Sequence, residues 1–241
     1  MQAIEIGFIL SLAAASATLL GWVVMRIKSN PSERLIAYIF LFVALAMILV
    51  DLIQLIPTAL DSGLAQTQVF IYLIAGFSLV LLISKLMSIK VGSGPSSSAL
   101  VIALALSLHN LPEGSAPIAA SLVDLPTGVT TALLMALHNI PEGIAITASA
   151  ILAGYGHLKS LLLTLTATAA EMLGATAIFL SDDLFANIQN AGALLSFVAG
   201  IMLAICVKEL LPYSYKTLRP SRGNDTPATT LPPWLGHHFW L

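Results

Sequence analysis

Charge is scarce in this chain. Only 9% of its 241 residues are Asp, Glu, Lys or Arg, while 58% are hydrophobic; a soluble domain carries about 25% charged residues. So few charges cannot cover a soluble globule, and an integral membrane protein is the expected class. A basic excess is also missing. The formal net charge is −2, which excludes the electrostatic footprint of a nucleic-acid partner. Cysteine occurs once, as Cys206 in an apolar run. That rules out an internal disulfide and a thiolate metal cluster, which needs several cysteines, and leaves Cys206 as a packing residue. There is no GxxxxGK[ST] phosphate loop and no loop long enough to be a nucleotide-binding domain, so ATP is not an expected partner.

Apolar runs of membrane length fill the rest. They recur at about 2–25, 35–60, 67–89, 98–122, 127–154, 158–180 and 190–213. Lipid offers the backbone no hydrogen bonds, so runs of this length are read as helices. The expectation is an all-α integral membrane protein with seven predicted transmembrane helices over residues 1–213, lipid-embedded, followed by a polar tail at 214–241. The first run contains "AAASA", which could suit signal cleavage. No positive region precedes it, however, and its only early charge is Glu5, so it reads as a span. The tail is rich in Pro and Thr and reads as disordered or interfacial. His237 and His238 within it read as incidental, as does His157 at a loop.

Charge sorts the loops onto two sides. Arg26, Lys28, Arg34, Lys85, Lys90, Lys159, Lys208, Lys216, Arg219 and Arg222 all fall on one; Asp61, Asp124, Asp182 and Asp183 mark the other. The positive-inside rule then places the N-terminus outside and the tail in the cytoplasm, with the cell membrane as the expected location.

Against this apolar background one polar motif occurs twice, as "HNLPEG" at 109–114 and "HNIPEG" at 138–143. His109 and Glu113 are four residues apart and share a helix face, with Asn110 close by in projection. Pro112 offers no amide proton and should kink the fourth helix, while Gly114 lets a neighbour come close. His138, Asn139, Pro141, Glu142 and Gly143 repeat the pattern on the fifth helix. One short loop joins the two helices, so they run antiparallel. A proline-kinked inverted pair of this kind is the usual pointer to a transport site.

The sixth helix adds Glu171, within about 60° of Thr164 and Thr168 on a helical wheel. The second carries Asp51, Gln54 and Thr58 with Pro57; for Asp51 and Gln54 a structural role and a functional one are equally open. An ionised carboxylate at the bilayer centre costs at least ~2.5–3.5 kcal/mol. A divalent cation would offset that cost at Glu113, Glu142 and Glu171, with neutral His109 and His138 and the Asn110 and Asn139 amides completing the shell. Mixed nitrogen and oxygen donors suit zinc, iron, manganese or cobalt. Seven groups exceed one tetrahedral ion, so either two bridged ions or one ion moving between partial sites would use them.

The two HNxPEG turns resemble the signature of the ZIP (Zrt/Irt-like) family of divalent-metal transporters. "AEMLGA" at 170–175, "GIMLAICVKELLP" at 200–212 and "LIQLIPTAL" at 52–60 are similar to its sixth, seventh and second helices. The resemblance implies a ZIP-like helix bundle that carries zinc first, and also Fe2+, Mn2+, Co2+ or Cd2+, into the cytoplasm through a binuclear mid-membrane site. That site would consist of His109, Asn110, Glu113, His138, Asn139, Glu142 and Glu171. The metal is substrate, no catalytic residue is expected, and a homodimer is left open. The sequence departs from the family at Gln54 and Lys208, where acids or histidines are common in relatives. Its loop between the third and fourth helices is short, and the family's eighth helix is not evident. Two other readings stand beside transport: an intramembrane metalloenzyme, and a metal-binding relative that senses without transporting.

Overall fold

The computed structural model describes residues 3–27, 32–88, 110–152, 154–181 and 188–219, and every regular element among them is helical. Six helices are long and apolar enough to cross a membrane. They are α1 (Ala3–Ile27), α2 (Glu33–Asp61), α3 (Gln66–Ser88), α5 (Leu125–Leu152), α6 (His157–Phe179) and α7 (Ile188–Leu218). Of the predicted fourth span, 98–122, only the part from Asn110 onward is described, and it contains α4 (Ala116–Val123). Spanning helices among the described residues therefore number six against the seven expected. His109 lies outside the described residues, as do Lys28, Lys90, Asp182, Asp183, Arg222, His237 and His238. The last helix continues to Leu218, beyond the expected boundary at 213.

Local chemistry sets the helix ends. Ser32 caps α2 by accepting the Leu35 amide at 3.2 Å, with Glu33 in the positive first turn. Asp124 alone separates α4 from α5, and its Oδ1 accepts the Thr127 amide at 2.9 Å. This one-residue hinge folds α4 back along α5. Glu113 lies 11 residues before it and His138 14 after, so the two halves of the repeated motif meet at nearly the same depth.

The prolines act differently from one helix to the next. α5 runs unbroken through Pro141. The fourth segment is interrupted just beyond its proline, at Gly114–Ser115. There the Ser115 amide turns back to the Pro112 carbonyl at 3.1 Å before α4 begins. In α2 and α7 the helix widens instead, into π turns at Asp51–Leu55 and Cys206–Leu210. Each π turn ends just ahead of a proline, Pro57 or Pro212. The extra residue in the turn relieves the clash of the ring with the preceding carbonyl and accommodates its missing N–H.

Glycine sets the closest approaches. A Cβ at Gly174 of α6 would collide with the Leu111 carbonyl, and one at Gly114 with the Glu171 carbonyl. α1 meets α5 in the same way, through Gly21 and Gly143. Backbones in such contact replace the hydrophobic drive that lipid does not supply. The faces sort accordingly. On α5, Leu133 and Leu137 are more than 60% exposed, whereas His138 is 1% and Glu142 3% exposed. The apolar core gathers mainly α2, α4, α5 and α7 around these buried polar side chains.

Gly174→Val should wedge α6 away from the fourth segment and lower the thermal unfolding midpoint in detergent micelles, at a cost of about 1–3 kcal/mol. Gly156→Ala, whose Cβ meets nothing within 4 Å, should leave the midpoint where it is.

Candidate metal site

Three of the predicted ligands converge. Glu113, from the fourth segment, and His138 and Glu142, one turn apart on α5, each offer a ligand atom within 4.8 Å of the others. All three are at most 3% exposed. The His138 ring is held by its Nδ1, which lies 3.2 Å from the Leu134 carbonyl oxygen. A carbonyl only accepts, so Nδ1 carries the proton in this bond, and in the neutral imidazole Nε2 presents its lone pair. Nε2 faces Glu113 Oε1 directly. Two acceptors placed against each other are repulsive unless a positive charge, a proton or a metal ion, sits between them. Fixing the distal nitrogen with a backbone carbonyl is also how metal-bound histidines are commonly oriented.

His109 lies outside the described residues; Asn110, Asn139 and Glu171 adjoin this group. Asn110 is fully buried and lies against Glu142. Asn139 and Glu171 pair with each other. The Asn139 amide nitrogen donates to both Glu171 oxygens, at 2.9 and 3.1 Å, and to the Ala14 carbonyl at 3.0 Å. Asn139 Oδ1 has no hydrogen-bond partner among the described residues. Thr164 bonds to Thr147 of α5 at 3.1 Å, so part of the polar stripe on α6 fastens helices together.

Gln54 is a fastener too. Its amide nitrogen donates to Thr131 Oγ1 at 3.2 Å and lies 3.4 Å from the Thr127 carbonyl oxygen, tying α2 to the first turns of α5. Lys208 falls in the second π turn and is partly exposed; the Glu209 side chain lies outside the described residues. Sequence reading missed the part played by α1. The helix breaks at Ala17, where the Ala17 amide reaches the Ala14 carbonyl at 3.0 Å, and this is the carbonyl that also holds Asn139. The small residues of "AAASA" were the available signal, because small side chains mark close helix contacts.

These features define a class: a helical membrane protein with a buried cluster of histidine and glutamate side chains that could hold a metal ion. The comparisons make it particular. The profile of the ZIP zinc transporter family matches residues 85–231. The zinc transporter ZupT of Salmonella heidelberg (strain SL476) is 32% identical over 228 residues, covering 89% of this chain and 88% of the relative. ZupT of Escherichia coli O7:K1 is 32% identical over 232 residues, 91% of this chain and 90% of the relative, and ZupT of Enterobacter sp. (strain 638) is 29% identical over the same length. The chain belongs to the ZIP family. That kinship points to a transporter rather than an enzyme.

Asn139→Ala removes the amide that donates to both Glu171 oxygens and should lower the stability of the ion-free protein by about 1–3 kcal/mol, the cost of stranding a buried polar group. Thermal melting in micelles measures it. Gln54→Ala, at a half-buried bond, should cost less, near 1 kcal/mol.

Proposed function

We propose that this chain is a permease that carries a divalent transition-metal ion, zinc first, across the cell membrane into the cytoplasm. The observation that carries the proposal is the meeting of His138 Nε2 and Glu113 in a buried pocket with Glu142 in reach. Two carboxylates and an imidazole in apolar surroundings suit a doubly charged ion with affinity for nitrogen and oxygen, which neutralises more of the buried charge than a proton does. The names of the ZupT relatives support zinc as that ion. Iron, manganese, cobalt and cadmium accept the same donors and are proposed as weaker substrates.

The site is proposed to be binuclear. Glu113, His138 and Glu142 hold one ion, and the fourth segment, through His109 and Asn110, completes its shell. Glu171 and the Asn139 Oδ1 atom hold the other, with the glutamates of the repeated motif shared between the two. The proposed orientation has the N-terminus outside, since all ten basic residues sort to one side of the spans. The membrane potential then favours inward movement by ~2.3 kcal/mol per charge per 100 mV. Ligands shed their protons to bind metal, so protons compete with the ion.

Radiometal uptake into proteoliposomes tests the proposal. Wild type should show saturable zinc uptake, and Glu113→Ala and Glu142→Ala should each abolish it. Unchanged flux in both variants would refute the site. Binding without flux in wild type would favour a sensor, and turnover of a lipid or peptide a metalloenzyme. Uptake should also fall as external pH drops from about 7.5 to about 5.5, because carboxylates and imidazole then hold protons in place of metal; a flat profile would argue against histidine and glutamate ligation.

A further inference from the structure

Asp51 is 3% exposed at the start of the π turn in α2, and neither of its carboxylate oxygens has a hydrogen-bond partner among the described residues. It belongs to none of the arrangements described above. Cys206 opens the matching π turn in α7, and each of the two stands six positions before a proline, Pro57 or Pro212. Cys206 is fully buried. Its Sγ lies 3.5 Å from the Ala44 carbonyl oxygen and 3.9 Å from Met47 Sδ. Met47 precedes Asp51 by one helical turn, so the two share a face of α2. Asp51 is within electrostatic range of both Cys206 and Glu113. A carboxylate, a thiol and a thioether thus collect between α2 and α7, beside the histidine–glutamate pocket.

We propose that Asp51, Cys206 and Met47 form a second cation station between α2 and α7, one that takes a thiophilic divalent ion such as zinc or cadmium. The carboxylate supplies the charge that an apolar interior otherwise penalises, and the two sulfurs supply the preference for soft metals. The thiol loses its proton to solvent as the ion binds, giving a thiolate–metal bond. π turns within α-helices occur frequently at functional sites, and here two of them bring the ligands together. The station rests on the transport reading, as a stop for the ion next to Glu113, and its test is separable from uptake.

Cadmium titration of the purified full chain in detergent micelles provides that test. The chain has one cysteine, so a thiolate-to-cadmium charge-transfer band in the ultraviolet reports on Cys206 alone. The band should saturate at one cadmium per chain and persist in a Glu113→Gln/Glu142→Gln protein. It should disappear in Cys206→Ala, with bound cadmium falling by one per chain in equilibrium dialysis. In Asp51→Asn, which keeps the side-chain shape, the cadmium concentration for half-saturation of the band should rise at least tenfold. Absence of the band in folded wild type, a band indifferent to Asp51→Asn, or one lost with Glu113 and Glu142 would each overturn the station. Saturable zinc uptake without the band would sink the station and keep the permease; the band without uptake would do the reverse.

Discussion

Burying ionisable groups where water cannot reach them is the constraint around which this protein is organised. In a bilayer the imidazole of His138 and the carboxylates of Glu113, Glu142 and Glu171 are costly unless matched by charge or hydrogen bonds. The structure matches some of them internally: Asn139 serves Glu171, and Leu134 serves the far nitrogen of His138. The pair of His138 Nε2 and Glu113 faces each other directly, and it needs a proton or a metal ion between its two atoms. A buried pair of this kind suits a cation, which is why its residues read as function more readily than as packing.

Backbone devices hold these side chains in register. The hinge at Asp124 returns the fourth segment along α5, so equivalent halves of the repeated motif meet. Gly114 and Gly174 let the fourth segment and α6 touch backbone to backbone, which brings Glu171 alongside. Gly21 and Gly143 do the same for α1 and α5, and the break at Ala17 leaves the Ala14 carbonyl within reach of Asn139. In each case it is the absence of a side chain that allows the polar ones to converge.

The prolines show how one residue type serves several ends. Pro141 is absorbed in a continuous helix, while Pro57 and Pro212 are each preceded by a π turn. A missing amide and a bulky ring can be met by bending, by interruption or by widening, and the neighbouring helices select among these. Widening shifts the phase of the side chains that follow, and Asp51 and Cys206 open the two corresponding turns.

Much was legible in the residues alone. Scarce charge and long apolar runs determined a helical membrane protein, because lipid permits a spanning chain few other solutions. The doubled HNxPEG turn determined that His138, Glu113 and Glu142 would meet, since i, i+4 spacing and a short antiparallel link leave little freedom. Tertiary structure alone decided the rest: that Gln54 fastens α2 to α5, that Asn139 is shared between Glu171 and Ala14, and that Asp51 has no hydrogen-bond partner among the described residues. Those outcomes depend on which helices lie side by side and at what rotation. In lipid that is decided by small residues touching across the bundle, contacts that hydropathy and spacing along one chain do not encode.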